Sequence, residues 1–206
     1  FVINLLTLCF SVLIGSSVFA AGGINTGGGK VPFGKNTNYK YGIMPKTLPT
    51  GGTYGQAQKA ADAYTAWKNA YVKTCSSGVY RVSFDDGQAT VSEGIAYGML
   101  LSVYADDKGL FDGLWQYYKN NRNGNGVMNW KINGCSGVAG SNGATDAELD
   151  VAMALIIAAE QWPTGSYSTD AKAFVKVIKN TEMHTNGHTL NGDAWGNTNS
   201  CRNPSY

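Results

Sequence analysis

"ATDAELDVAMALIIAAEQWP", residues 144–163, decides how the rest of the chain is read. The nine residues Val151 to Ala159 carry no polar side chain, so a helix here is expected to be buried on nearly every side. Pro163 ends it, having no N–H for the helical ladder. Yet three carboxylates, Asp146, Glu148 and Asp150, crowd its opening turns. A helix N-terminus favours negative charge, and Thr145-x-x-Glu148 reads as a capping box, an ordinary structural task for Glu148. Asp150 is harder to dismiss. It lies one turn beyond Asp146, where like charges repel, and a helix meant for burial does not carry that cost idly.

A second stretch repeats the design. "VSEGIAYGMLLSVYA", residues 91–105, is also apolar almost all round, yet opens on Glu93, with Ser92 placed to cap the free N–H groups. Tyr97 follows Glu93 by one turn. Three further helices are amphipathic. Ala57, Ala60, Tyr64, Trp67 and Tyr71 form one stripe on a helix of about five turns. Leu110, Phe111, Leu114, Trp115 and Tyr118 form another, with Asp107 as its cap, and Ala171, Phe174, Val175 and Ile178 mark the last. Long Gly/Asn-rich loops separate them. The class is all-α, and helices apolar on every side need an outer layer that five helices do not complete.

Composition narrows the partners. Sixteen basic residues against 14 acidic ones, with no basic cluster, give nothing that suggests a nucleic-acid or anionic-membrane ligand, and none is expected. Twelve Tyr, 5 Trp and 27 Gly with few charges suit a neutral, hydroxyl-rich ligand that stacks on rings and pairs with amides. Trp130 in "VMNWKIN" and Trp195 in "GDAWGN" have polar, Gly-rich flanks, which favour exposure over a core position. His184 and His188 stand four apart in "HTNGH", but Asn186 and Gly187 oppose a helix there, so they read as surface loop. No metal or other cofactor is called for.

Residues 1–20 read as part of a secretory signal peptide: an apolar run, then "SSVFA", with cleavage after Ala20. That run is too short for a comfortable membrane span. It has neither initiator Met nor basic n-region, so the chain is expected to begin inside the leader. Residues 21–53 form a Gly/Asn-rich linker and lead-in segment, and a globular region occupies 54–206. Export permits a disulfide. Once Cys9 leaves with the leader, Cys75, Cys135 and Cys201 allow one bond and leave one thiol over.

Two carboxylates from separate helix mouths beside lone tryptophans are what glycosidic bond cleavage requires. One acid protonates the leaving oxygen while another carboxylate activates water or supports the sugar. The motifs agree. "TVSEGIAYGMLL", "VMNWKI", "GATDAELDVAMALIIAAEQW" and "RNPSY" together resemble glycoside hydrolase family 8, secreted bacterial endoglucanases, xylanases, lichenases and chitosanases. The resemblance covers nearly all of residues 39–206. It implies an (α/α)6 barrel, about half of it here, acting with inversion. Residues 54–206 would be the N-terminal part of the catalytic domain.

The same resemblance makes Glu93 the proton donor and Asp146 the aspartate that holds the sugar at the cleavage point. Trp130, Trp195 and Tyr206 match aromatic residues of the family's cleft, and Tyr97 and Asp150 are expected beside them. Glu148 departs from the family's usual Asp. The water-activating base is expected downstream of Tyr206. A β-1,4-glucan, cellulose or mixed-linkage, is the expected substrate of a secreted monomer. Xylan or chitosan is the alternative substrate, and a non-catalytic carbohydrate-binding protein is the alternative of another class.

Overall fold

A computed structural model describes residues 56–194, with side chains from residue 62, and two short antiparallel strands ahead of them, β1 (Asn38–Tyr39) and β2 (Gly42–Ile43). Five helices dominate the described residues: α1 (Gln56–Tyr71), α2 (Ser92–Tyr104), α3 (Lys108–Asn120), α4 (Thr145–Gln161) and α5 (Tyr167–Thr181). Their bounds follow the apolar periodicities closely.

The two most apolar helices, α2 and α4, pack against each other, with α3 against α2 and α5 against α4. They run the same way. Their starts are joined through Trp130, and near their ends Gln161 Nε2 donates to the Val103 carbonyl at 2.9 Å. All five residues expected on the α3 stripe are buried. Asp107 caps that helix, accepting from the Leu110 amide at 3.2 Å, and also accepts from the Tyr64 hydroxyl at 2.8 Å. α3 reaches α5 through aromatic edges, with Trp115 and Tyr118 meeting Phe174 at centroid distances of 5.8 and 5.4 Å. Such contacts add to plain burial.

Several expectations need correction. Ser92 is not the cap of α2; Val91 holds that position, and the Ser92 hydroxyl turns instead to Glu93 Oε2 at 3.3 Å. No capping box opens α4. Ala144 is the N-cap, so Thr145 already lies inside the helix and the frame slips by one residue. Nor is α4 buried all round. Leu149, Met153 and Ile156 form one exposed stripe, a face these five helices leave uncovered. On α5, Val175 is exposed while Ala171, Phe174 and Ile178 are buried, and on α1 Tyr71 is exposed.

The loops hold short strands that no hydrophobic alternation announced, since pieces of three to five residues carry too few positions for a period. A hairpin joins β3 (Val72–Ser76) to β4 (Val79–Val82). A second antiparallel sheet orders β5 (Ala89–Val91), β6 (Lys131–Asn133) and β7 (Gly137–Gly140). Cys75 in β3 and Cys135 in the β6–β7 turn form a disulfide, which resolves the choice among three cysteines; Cys201 lies outside the described residues.

Candidate active site

The β5–β6–β7 sheet sits where α2 and α4 begin. β5 runs directly into α2, and β7 leads through residues 141–144 into α4, so the sheet delivers both carboxylate-bearing ends to one place. Trp130, just before β6, is the staple. Its carbonyl accepts from the Ser92 amide at 3.0 Å, and its amide donates to the Asn142 carbonyl at 2.7 Å. Trp130 is 40% exposed, as its polar flanks implied.

The shelf under that indole was not legible beforehand. A Cβ built on Gly140 would stand 2.3 Å from Trp130 Nε1, so only glycine lets the ring lie there. Asn142, with φ +73°, holds the left-handed conformation that Asn tolerates better than most residues. Its amide donates to Asn129 Oδ1 at 3.2 Å, closing the loop on the segment that leads into Trp130 and β6.

Glu93 is half-buried at the first turn of α2. Burial pushes its carboxyl above the ordinary range, and the charge of Asp146 adds to the rise; the Ser92 hydroxyl works against it. Asp146 stands in the first turn of α4, its Oδ1 accepting from the Ala147 amide at 2.9 Å. Asp150 is raised by burial and then by Asp146, the repulsion that the one-turn spacing predicts. Tyr97, 54% exposed, feels Asp150, Asp146 and Glu93 together. Four of the predicted site residues thus share one electrostatic neighbourhood, with Trp130 tied to the start of α2. Trp195 and Tyr206 lie outside the described residues. His184 and His188 occupy a turn, the His184 amide donating to the His188 carbonyl at 2.8 Å, in keeping with a surface loop.

Two acidic residues behave otherwise than their sequence context implied. Asp193 draws three loops together at the head of α4. Its Oδ2 accepts from Asn123 Nδ2 at 2.6 Å and Asn125 Nδ2 at 2.9 Å, and its Oδ1 from the Gly143 amide at 2.7 Å. A single acid in a Gly/Asn loop gives no sequence signal of that kind. Glu148 faces inward, fully buried, accepting from the Tyr118 hydroxyl at 2.7 Å. Chemically, the cluster pairs a carboxyl disposed to keep its proton with neighbouring carboxylates and an exposed ring. That set suits proton delivery to an oxygen of a neutral, polyhydroxylated ligand.

Comparison with known proteins agrees with this chemistry. Residues 47–206 match the model of "Glycosyl hydrolases family 8". Endoglucanase 2 of Ruminiclostridium josui is 31% identical over 210 residues, covering 97% of this chain and 45% of that protein. Endoglucanase A of Acetivibrio thermocellus is 35% identical over 187 residues, covering 85% of this chain and 38% of that protein. The chain therefore spans less than half the length of these relatives. Among solved structures, a beta-1,3-1,4-glucanase from Paenibacillus sp. X4 superposes with a TM-score of 0.67 at 32% identity, over 79% of this chain and 46% of that one. The five helices are accordingly part of an (α/α)6 barrel. A family match over most of the sequence, with a shared fold beneath it, makes this chain a member of glycosyl hydrolase family 8.

Proposed function

We propose that this chain belongs to a secreted, endo-acting β-glucanase that cleaves β-1,4 linkages of cellulose or mixed-linkage glucan with inversion. Glu93 protonates the leaving glycosidic oxygen. Asp146 holds the sugar at the cleavage point, and Trp130 stacks on a neighbouring sugar, with Tyr97 and Asp150 lining the same trough. The observation that carries the reading is the state of Glu93: half-buried at a helix mouth, beside Asp146, with its carboxyl raised toward protonation. An inverting enzyme needs such an acid and a second carboxylate that activates water. Names of relatives, endoglucanase and beta-1,3-1,4-glucanase, favour glucan over xylan or chitosan.

The test is a reducing-sugar assay on carboxymethyl-cellulose and mixed-linkage β-glucan, run on this chain and on the complete product of its gene. The anomeric form of the first product is followed by NMR. Release of α-configured ends by the gene product is expected. A chain that lacks the second carboxylate should be slower by roughly 10²–10⁴-fold. Glucan binding without sugar release from either protein would replace this reading with that of a carbohydrate-binding protein.

A further inference from the structure

Glu148 and Glu182 are both fully buried, one in α4 and the other at the end of α5, and face each other electrostatically. Among the described residues, only Glu148 Oε1 of their four carboxyl oxygens has a donor in hydrogen-bond geometry, the Tyr118 hydroxyl. Glu148 Oε2 and both oxygens of Glu182 have none. Neither makes an ion pair with Lys, Arg or His among the described residues. The titratable groups that bear on them most are acidic: Tyr118 from α3, Asp146 from α4 and Asp193 from the segment after α5. The Arg122 guanidinium lies over the Tyr118 and Phe174 rings, 5.6 and 5.4 Å from their centroids. The Thr145 hydroxyl stands beside Glu182 and favours its ionised form, but it is outside hydrogen-bond geometry and is outweighed by burial and the neighbouring charges. Two bare carboxylates cannot be buried together without a compensating donor.

We infer that Glu148 and Glu182 hold at least one proton between them, one carboxyl donating to the other, and that this bridge ties the end of α5 to the head of α4 and so positions Asp146. The missing donor is then the proton itself. The location fits the task. Glu182 lies close enough to Asp146 to feel its charge, and a Cβ on Gly143 would meet Glu182 Oε1 at 2.9 Å, so the loop leading into α4 rests directly on that carboxyl. The backbone continues the seam, the Leu190 amide donating to the Glu182 carbonyl at 2.7 Å and the Thr145 amide to the Asn191 carbonyl at 3.2 Å. Burial, Asp193 and Asp146 push Glu182 up to about 8, and burial and Glu182 push Glu148 well above the ordinary range. Both are positioning residues, a role that rests on the glucanase reading; the bridge itself does not.

Folded-state proton affinity is raised, so the bridge stabilises fully below the ordinary Glu range and is lost as pH rises through about 8. Thermal midpoints measured from pH 5 to 10 should fall for the wild type across that window. Glu182→Gln and Glu148→Gln, each a permanently neutral mimic with its own N–H donor, should fold and flatten the fall, standing roughly 5 °C above wild type at the alkaline end. Infrared spectra at pH 7 should show a buried carboxylic-acid C=O stretch that each Gln variant diminishes. A flat wild-type curve, a missing acid band, or Gln variants that fail to fold would overturn the bridge. For positioning, Glu182→Ala should lower kcat about tenfold with KM little changed, and Glu182→Gln should recover most of the loss. Ala and Gln variants equally impaired would overturn that part. Absence of hydrolysis by the complete gene product would remove the glucanase reading while leaving the thermal and infrared results to stand.

Discussion

Glu93 owes its proton affinity first to burial and second to Asp146, and that order fixes what substitution does. Glu93→Gln keeps the shape and removes the proton, so turnover on mixed-linkage glucan should drop by roughly 10²–10⁴-fold, measured by initial rates of sugar release. Asp146→Asn removes a charge that raises Glu93. The residue then loses its proton at lower pH, and since the proposed mechanism uses the protonated form as donor, the alkaline limb of kcat/KM should move to lower pH. The shift should be partial, since burial remains. A profile of kcat/KM against pH checks it, and a limb moving upward would contradict the assignment of Glu93 as acid. The place of these residues in the fold was legible because type and place conflict: a carboxylate at the mouth of an apolar helix asks for a reason. Glu148 hid because its motif offered one. Thr145-x-x-Glu148 looks complete as a cap, whereas the helix starts one residue earlier and Glu148 points inward to Tyr118.

Elements tell a different story, since what holds the site together lies between helices. The five helices could be read from their periodicities, whereas the β5–β6–β7 sheet could not, because strands of three or four residues leave no pattern. The sheet nevertheless sets Trp130. Gly140→Ala places a methyl where the indole now lies, so the ring must move while the helices stay. KM for long glucans should rise about tenfold, equivalent to roughly 1.4 kcal/mol of lost contact, with a changed tryptophan fluorescence and an unchanged helical circular dichroism signal. Tyr118 joins α3 to the head of α4 in a comparable way, donating to Glu148 and accepting from the Met128 amide at 3.0 Å. Tyr118→Phe leaves two buried groups without that partner. Urea unfolding should show a loss of about 1–3 kcal/mol, larger than ring packing alone predicts, since the ring itself is retained.

At the scale of the molecule, the apolar helices α2 and α4 organise everything, and the sequence overstated their burial for a physical reason. Hydrophobicity on every side reports that each face needs a neighbour, not that the neighbour lies among these helices; Leu149, Met153 and Ile156 are the faces left without one. Cysteine chemistry was half legible in the same sense, since counting allowed one bond but not which. The bond formed, Cys75 to Cys135, spans 60 residues and joins the β3–β4 hairpin to the turn of β6–β7. That turn is also held by Tyr117, whose hydroxyl donates to the Gly134 carbonyl at 2.8 Å, by the Gly134 amide donating to the Gln88 carbonyl at 2.8 Å, and more weakly by Asn121 Nδ2 reaching the Cys135 carbonyl at 3.4 Å. Closing so long a loop restricts the unfolded chain by roughly 4 kcal/mol. Reduction should therefore lower the thermal midpoint by roughly 10 °C, read by circular dichroism with and without dithiothreitol. Because the bond anchors the far end of the hairpin that carries Trp130, loosening should reach the site before global unfolding. Glucan affinity of the reduced protein should fall at temperatures where its helices are still intact, and a parallel loss of both signals would place the disulfide's effect on overall stability alone.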